Sequence, residues 1–404
     1  MVDLYNFIAK RTDRMKASEV REILRYAKGD VISFAGGLPD PYCLPSEDEI
    51  CSAIDYISKF KEKAFQYSLT GGILELKEEI AKYCGEKLGI KASAEEILIT
   101  TGSQQALDIT ARILIDQRDY VITELPTYIA AIQAFSLFRP NYLGIPMDDE
   151  GMKIDYLESS LRAMNEEGLK PKFLYTIPTC QNPAGLSMSM DRRRWLLELA
   201  SKYDFIVVED DPYSQIMFRD IQVKRLKSLD TEGRVVYLST FSKIYAPGVR
   251  VGWIIADKSI LNYYELAKQS IDLCTSSVNQ YFVLHALQSR IIEKRLPAVI
   301  NKYKIKCELM HKMLEEKMPE GSKWSNPVGG MFIFGWLDER VNTKKILMDV
   351  IQKYNVAYVP GGSFFVDGSG WNTLRLNFTF PTEQQIEVGV GRLAKAIENE
   401  LKKL

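Results

Sequence analysis

The chain has 404 residues, a formal net charge of −1, two histidines and six cysteines. Its hydrophobic fraction of 46% is enough to build a large core, which excludes an intrinsically disordered protein. Because the charge is near balance and no long basic run occurs, we predict no nucleic-acid partner.

The order of predicted elements in the first two thirds of the chain is typical of an α/β fold. After a helix in residues 16–28, short apolar runs alternate with amphipathic helices. This alternation predicts a large domain whose mostly parallel sheet is covered by helices on both faces. The predicted strands are residues 96–100, 120–123, 173–177, 205–210, 235–240 and 251–255.

The last third of the chain has a different pattern. A long helical stretch, residues 259–318, is predicted to break near Pro297, and separated strands (MFIFGW, VAYVP, TLRLNF) then alternate with helices. We therefore expect a smaller α+β domain there. The predicted parts are an N-terminal arm (1–45) packing on the small domain and the mouth of the site, a large domain with the interdomain helix (46–300), and a small domain (301–404).

Location and metal binding are predicted from what the sequence lacks. The longest apolar runs have the length of a strand, so no membrane partner is expected. The first residues, MVDLYN, form no basic-then-apolar leader, which favours a cytoplasmic location. The cysteines are too widely spaced for a C-x-x-C pattern, so we predict reduced thiols and no metal site.

The segment YLSTFSKIYAPGVRVGW contains the most informative lysine of the chain. A predicted strand ends in small hydroxyl residues, Lys243 follows, and a Gly-Val-Arg turn leads into the next strand. Loss of solvation near a buried strand end lowers the pKa of a lysine and frees its amine as a nucleophile. Thr240, Ser242 and Arg250 are of the types that bind phosphate. An ordinary surface lysine is the alternative.

Polar or aromatic residues follow the other predicted strands as well. Gly102, Ser103 and Gln104 come after the first strand and open a helix, where backbone N–H groups bind phosphate well. Tyr128 follows the second strand and is suited to stack on a flat cofactor, although a core tyrosine fits the same pattern. Asn182 follows the third strand and can donate a hydrogen bond to a phenolate-type oxygen.

Asp210 ends the fourth strand, and Tyr213 comes three residues later. A carboxylate facing a pyridine nitrogen keeps that nitrogen protonated, and the positive ring then withdraws electrons from a carbanion. Metal binding by Glu209, Asp210 and Asp211 is the alternative, but it needs further ligands that the neighbouring strand ends lack. A Schiff-base lysine, an acidic partner, phenol-binding groups, a stacking ring and a phosphate cradle together match the requirements of pyridoxal 5'-phosphate.

Motifs spread over almost the whole chain resemble those of one enzyme family. They resemble the fold-type I, pyridoxal-phosphate-dependent class I/II aminotransferases, most closely the branch of the 2-aminoadipate (LysN-type) and kynurenine aminotransferases. The aminotransferase-like half of the MocR regulators is similar too. In chain order the motifs are ISFAGGLPDPYCLP, FQYSLTGGILELKEEIA, TTGSQQALD, ELPTY, the QNPAG block, VVEDDPYS, TFSKIYAPGVRVGW and TLRLNFTF.

This resemblance implies roles for single residues and a homodimer with shared active sites. Lys243 would form the Schiff base and then move the proton of the 1,3-shift. Arg375 would bind the substrate α-carboxylate, assisted by Asn182 and the backbone of Gly37. The cofactor would be held at its pyridine nitrogen by Asp210, at its 3'-oxygen by Asn182 and Tyr213, on its ring face by Tyr128, and at its phosphate by Ser103, Gln104, Thr240, Ser242, Arg250 and Tyr67 of the partner subunit.

The implied activity is transfer of an α-amino group to 2-oxoglutarate by a ping-pong mechanism through pyridoxamine phosphate. Arg21 matches the arginine that the aminoadipate branch uses on acidic side chains, which favours donors such as 2-aminoadipate. A solvated helix face explains Arg21 equally well, and Arg25 one turn later is placed to serve the same purpose. Aromatic and large aliphatic donors are also expected, from aromatic residues near the presumed mouth that core packing explains too: Tyr5, Phe332, Phe364 and Phe365.

Two alternatives use the same cofactor. A racemase, lyase or decarboxylase would need the same cofactor-binding residues, so the sequence separates these reactions poorly. A regulator that binds pyridoxal phosphate would need a separate DNA-binding domain. About 30–40 residues precede the predicted core, fewer than the roughly 50 of an independent domain, so we disfavour the regulator.

Overall fold

The structure is a computed structural model that describes residues 4–219, 221 and 223–403. The strands are β1 (Ile32–Ser33), β2 (Ile97–Thr100), β3 (Tyr120–Leu125), β4 (Asn141–Asp148), β5 (Gly151–Met152), β6 (Pro171–Thr176), β7 (Ile206–Asp210), β8 (Val235–Thr240), β9 (Gly252–Ile255), β10 (Lys323–Trp324), β11 (Phe332–Trp336), β12 (Val356–Ala357), β13 (Val359–Pro360) and β14 (Thr373–Asn377). The helices are α1 (Glu19–Tyr26), α2 (Glu47–Ser58), α3 (Lys61–Ala64), α4 (Leu74–Tyr83), α5 (Ser103–Leu114), α6 (Ile129–Ser136), α7 (Ile154–Glu166), α8 (Met190–Lys202), α9 (Leu226–Leu229), α10 (Lys258–Asp272), α11 (Ser277–Gln288), α12 (Ile291–Lys317), α13 (Thr343–Tyr354) and α14 (Glu383–Leu401).

Eight strands form one large sheet in the order β2-β9-β8-β7-β6-β3-β4-β5. The five strands from β8 to β4 are mutually parallel, whereas β9 runs antiparallel to both β8 and β2, and β5 antiparallel to β4. This confirms the predicted α/β fold with its mostly parallel sheet.

Helices cover both faces of this sheet because its central strands are apolar on both sides. Val207 belongs to the same apolar cluster as Leu196 of α8. The next residue, Val208, points to the opposite face and belongs to the cluster of Phe135 of α6. The strands that hold the candidate site residues are therefore fixed between two layers of helices.

A second, smaller sheet is antiparallel and has the order β10-β11-β14-β13. The N-terminal strand β1 pairs in parallel with β12 beside it, with Ile32 opposite Val356. The predicted division at residues 45 and 300 stays a prediction, and α12 runs across residue 300. In the described part of the chain, no helix is long and apolar enough to cross a membrane.

Two of the differences from the sequence-based expectations have a clear physical reason. The helical stretch does not break at Pro297, which lies inside α12, but at residues 273–276 and 289–290. The helix tolerates the missing N–H because buried side chains on both sides, Ile292 and Val299, fix it in the core. Strand β4 was not predicted, because its sequence NYLGIPMD contains both glycine and proline and has no continuous apolar run.

Candidate active site

The amine of Lys243 lies at the centre of the candidate site. Lys243 follows the buried end of β8, and its Nζ donates a hydrogen bond to the backbone carbonyl of Gly37 at 2.9 Å. Burial, together with the positive charges of Arg375 and Arg250, lowers the pKa of the lysine to about 8. An amine with this pKa is partly deprotonated at neutral pH, so it can act as a nucleophile.

This pKa predicts a pH-dependent rate of capture for the pyridoxal phosphate that the sequence resemblance implies. A protonated amine cannot attack an aldehyde, so the rate should rise with pH and level off above about 8. The measurement is stopped-flow absorbance after pyridoxal phosphate is mixed with apoprotein. N-acetyl-lysine is the control, because it reacts with the same aldehyde through an amine of ordinary pKa. Its reaction rate should keep rising toward about pH 10.5, whereas any effect from titration of the cofactor is the same in both reactions. Parallel profiles for protein and control would contradict the lowered pKa.

Polar groups from three strand ends meet around the start of α5. Arg250 Nη1 donates to Ser242 Oγ at 3.2 Å, and Thr240 Oγ1 donates to the same oxygen at 2.9 Å. Gly102 has a φ of +72°, and a Cβ at this position would lie 2.5 Å from Arg250 Nη2. The predicted phosphate-binding residues Thr240, Ser242 and Arg250 are thus together beside the turn that leads into Ser103 and Gln104.

Asp210 ends β7 and is buried. Tyr175 donates its hydroxyl proton to Asp210 Oδ2 at 2.8 Å, whereas Asp210 Oδ1 has no hydrogen-bond partner among the described residues. Burial raises the pKa of this carboxyl to about 7. A buried acceptor without a donor is costly, so Oδ1 is suited to a donor from outside the chain. A protonated pyridine N–H is such a donor, and the site therefore fits the cofactor.

Asn182 connects the predicted groups for the 3'-oxygen and the substrate. Its Oδ1 accepts a hydrogen bond from Arg375 Nη1 at 2.8 Å, and its Nδ2 lies 3.5 Å from the Tyr213 hydroxyl. Tyr128 lies at the start of α6, and burial raises the pKa of its hydroxyl. The charge of Asp210 raises this pKa further, whereas that of Arg375 lowers it. These predicted residues are thus brought together.

Arg375 is a buried cation whose described hydrogen-bond partners are neutral oxygens. Besides Asn182 it donates from Nη2 to the carbonyl of Ala35 at 3.0 Å, and its Nε has no partner among the described residues. The guanidinium carbon lies 4.1 Å from the ring centre of Phe332 and 5.2 Å from that of Phe364. Burial lowers the pKa of Arg375 to about 10, so it is still charged at neutral pH and suited to bind a carboxylate.

Two predicted residues are exposed on the single chain. Tyr67 is 77% exposed in the loop before α4, and Arg21 is exposed on α1. Sequence reasoning missed Tyr175, because a tyrosine inside a strand is no different from a core residue in the pattern. It also missed the contacts of Phe332 and Phe364 with Arg375, since these rings come from separate parts of the small domain.

The residues of the metal alternative, Glu209, Asp210 and Asp211, bind different partners. Glu209 accepts from backbone N–H groups of residues 226 and 227, and Asp211 accepts from Ser214 and Tyr237. The three carboxylates therefore have separate surroundings. Among the described residues, no group of three or more His, Cys, Asp or Glu side chains could hold a metal ion.

A cavity of about 1180 Å³ lies elsewhere, between the N-terminal segment, α6 and the loops of the small domain. Of the residues predicted for the site or its mouth, Phe365 alone lines it. The candidate site is thus defined by its chemistry and not by the size of a cavity.

Comparison with known proteins gives a consistent result. The family model "Aminotransferase class I and II" matches residues 45–393. Aromatic-amino-acid aminotransferase 1 of Thermococcus litoralis is 45% identical over 405 residues, which cover 100% of this chain and 96% of that protein.

Two solved structures are similar over their whole length. Kynurenine aminotransferase of Pyrococcus horikoshii, in complex with PMP, is 46% identical with a TM-score of 0.95, covering 99% of this chain and 98% of that one. The α-aminoadipate aminotransferase LysN of Thermus thermophilus, complexed with N-(5'-phosphopyridoxyl)-L-leucine, is 35% identical with a TM-score of 0.92, covering 100% of both chains. Family, fold and the donor set around Lys243 and Asp210 agree: the chain belongs to the pyridoxal 5'-phosphate-dependent class I and II aminotransferases.

Proposed function

We propose that this enzyme transfers the α-amino group of a broad range of amino acids, including 2-aminoadipate, aromatic and large aliphatic donors, to 2-oxoglutarate by a ping-pong mechanism. The similar proteins named above act on aromatic amino acids, kynurenine and α-aminoadipate, which supports this range. We further propose that it works in the cytoplasm as a homodimer with shared active sites.

One observation supports this reaction most directly. The carbonyls of Ala35 and Gly37 hold Arg375 and Lys243, so a carboxylate-binding cation and a nucleophilic amine lie on one short segment. A substrate whose α-carboxylate binds Arg375 and Asn182 therefore has its Cα next to Lys243. This is the arrangement that removal of a Cα proton requires.

The chain's residues have distinct tasks in this reaction. The cofactor supplies the ring that withdraws electrons from the substrate Cα. Lys243 would anchor the cofactor, and its Nζ would take the proton from the substrate Cα and return it in the reverse half-reaction. Asp210 would hold the proton on the pyridine nitrogen, while Asn182 and Tyr213 would bind the 3'-oxygen. Arg375 fixes the carboxylate and so orients the Cα–H bond.

Acidic donors need a second cation, and we propose Arg21 for this task. Helix α1 packs against residues 35–37, the segment whose carbonyls bind Arg375 and Lys243. A Cβ at Gly36 would lie 3.7 Å from Leu24 Cδ2 of this helix. Arg21 precedes Leu24 by three residues and so lies on a neighbouring part of the same helix surface. Its side chain is exposed and is therefore free to meet a substrate carboxylate.

Replacing Arg21 by alanine should lower kcat/KM for 2-aminoadipate by about tenfold or more, because one charge-assisted hydrogen bond is lost. The value for phenylalanine should change less than about twofold. Arg25→Ala is the matched control, since it removes the same charge from the same helix. An equal loss for both donors, or a loss in the Arg25 variant alone, would refute the role of Arg21.

The homodimer is supported by apolar side chains that are exposed on the single chain. Phe65, Tyr67 and Leu69 are 76–79% exposed, and Tyr263 and Leu266 on α10 are more than half exposed. Exposed apolar surface of this extent is typical of an interface between subunits. A second copy would cover it and bring Tyr67 near the partner's phosphate site. Light scattering should give twice the chain mass of 46.1 kDa, and a monomer would contradict the proposal.

A half-reaction panel tests the function itself. Glutamate, 2-aminoadipate, kynurenine, phenylalanine and leucine are added singly to the holoenzyme without any oxo acid. We expect the cofactor absorbance to change to that of the pyridoxamine form as the matching oxo acid is released, and 2-oxoglutarate should reverse it. Racemisation, cleavage or decarboxylation without pyridoxamine formation would show one of the other reactions that this cofactor supports.

A further inference from the structure

A hydrogen-bonded network lies behind the turn that opens α5. Asp272, the last residue of α10, accepts hydrogen bonds from Thr101 Oγ1 at 2.9 Å and from Gln105 Nε2 at 2.8 Å. Gln105 Oε1 in turn accepts from the backbone N–H of Thr101 at 2.7 Å. Both ends of the turn are therefore joined to one carboxylate, and Ser103 and Gln104 lie between them.

The charge of this carboxylate is compensated inside the protein. The side chain of Lys268 is fully buried, and its Nζ donates to Asp272 Oδ1 at 2.7 Å. A carboxylate without a counter-charge would repel a phosphate dianion on the other side of the turn. Because Lys268 balances its charge, Asp272 can accept hydrogen bonds from the turn without placing a net negative charge behind the phosphate site.

The residues that follow Asp272 also hold the loop of Tyr67. Ser277 Oγ donates to the carbonyl of Gln66 at 2.9 Å, and Gln280 Nε2 donates to Ser68 Oγ at 3.2 Å. The joint between α10 and α11 thus contacts the chain's own phosphate turn and the loop that we propose reaches the partner's phosphate.

We propose that Asp272, neutralised by Lys268, is a positioning residue for the cofactor phosphate. It holds Thr101 and Gln105 so that the N–H groups and side chains of Ser103 and Gln104 face the phosphate. Asp272 does not touch the cofactor and acts through the turn. This inference rests on the proposed phosphate site at Ser103, Gln104, Thr240, Ser242 and Arg250.

The test compares two ligands that differ in the phosphate alone. Dissociation constants of the apoprotein for pyridoxal phosphate and for pyridoxal are measured by absorbance titration. Asp272→Asn should raise the dissociation constant for pyridoxal phosphate by about tenfold or more, since hydrogen bonds to a charged acceptor are lost. Its affinity for pyridoxal should stay within about twofold of the wild type. Asp349→Asn is the matched control, because Asp349 forms the same kind of i, i+4 pair with Lys353 on the surface.

Two further variants keep the proposal testable if Asp272→Asn does not fold. Thr101→Val removes one hydroxyl that Asp272 binds and leaves the ion pair intact, and it should show the same selectivity for the phosphate with a smaller loss. Lys268→Met should also weaken the binding of pyridoxal phosphate and not that of pyridoxal, since the negative charge of Asp272 then has no counter-charge. Equal weakening of both ligands, or of neither, would overturn the role of Asp272. A wild type that binds both ligands alike would instead refute the phosphate site.

Discussion

Replacing Lys243 by alanine is expected to lower turnover by about 10⁴-fold or more. The reason is that one amine has two tasks, the covalent anchoring of the cofactor and the proton transfer at the substrate Cα. General acid–base catalysis alone accounts for about 10²–10⁴-fold, and the loss of the covalent anchor adds to it. The measurement is steady-state transamination with 2-oxoglutarate as acceptor.

Three controls separate this role from a loss of folding. Lys243→Arg keeps the positive charge but has no nucleophilic amine, so it should be as inactive as the alanine variant. Added methylamine should restore part of the proton transfer to Lys243→Ala. Borohydride should fix the cofactor to a peptide that contains Lys243 in the wild type and to no peptide in the variant. Wild-type turnover in Lys243→Ala would contradict the assignment of the site.

The site residues at strand ends were predictable from sequence because two local patterns coincide there. An apolar run ends, and a polar residue suited to a ligand follows within a few residues, as with Asp210 two residues after Val208 and Asn182 five residues after Ile177. In a parallel sheet, carboxyl ends lie at one edge, so the residues after separate strands come together. The positions of Lys243, Thr240 and Ser242 follow from the same rule.

The supports of these residues were not predictable in this way, because each comes from a distant part of the chain. Tyr175 binds Asp210 from 35 residues away, and Asp272 binds Thr101 from 171 residues away. Neither has a local pattern that distinguishes it from a core or surface residue. The contact between Arg375 and Phe332 depends on the pairing of β11 with β14, which the sequence does not specify directly.

The predicted helix boundaries are wrong where a rule of local sequence and burial in the core favour different positions. Proline normally ends a helix, so a break at Pro297 was expected. In the structure the breaks come instead at Leu273 and Arg290, both of which have a positive φ. No glycine or proline marks these positions. The local signal at the first break is Ser276, whose side chain caps α11 by accepting from the N–H of Asn279.

Replacing Asp210 by asparagine is expected to lower kcat by about 10²–10³-fold, the range found when one preorganised electrostatic contact of an active site is removed. An asparagine cannot hold a proton on the pyridine nitrogen, so the ring withdraws fewer electrons from the substrate Cα. Lys243 is unaffected, so the cofactor should still bind covalently. Tyr175→Phe should have a smaller effect of about tenfold, because it removes one hydrogen bond from Asp210 Oδ2 and leaves the carboxylate in place.

A cofactor analogue distinguishes this electronic role from a structural one. In pyridoxal phosphate methylated at the ring nitrogen the positive charge is permanent and needs no carboxylate to hold a proton. We expect this analogue to raise the activity of Asp210→Asn well above its value with the natural cofactor, and to lower that of the wild type, where the methyl group meets the buried Oδ1. If the analogue leaves the variant as inactive as before, the loss comes from disturbed packing around β7. Asp210 Oδ1 is buried and has no described hydrogen-bond partner. Rescue by a permanently charged ring would therefore show that Asp210 acts through the charge of the ring and not through contacts within the protein.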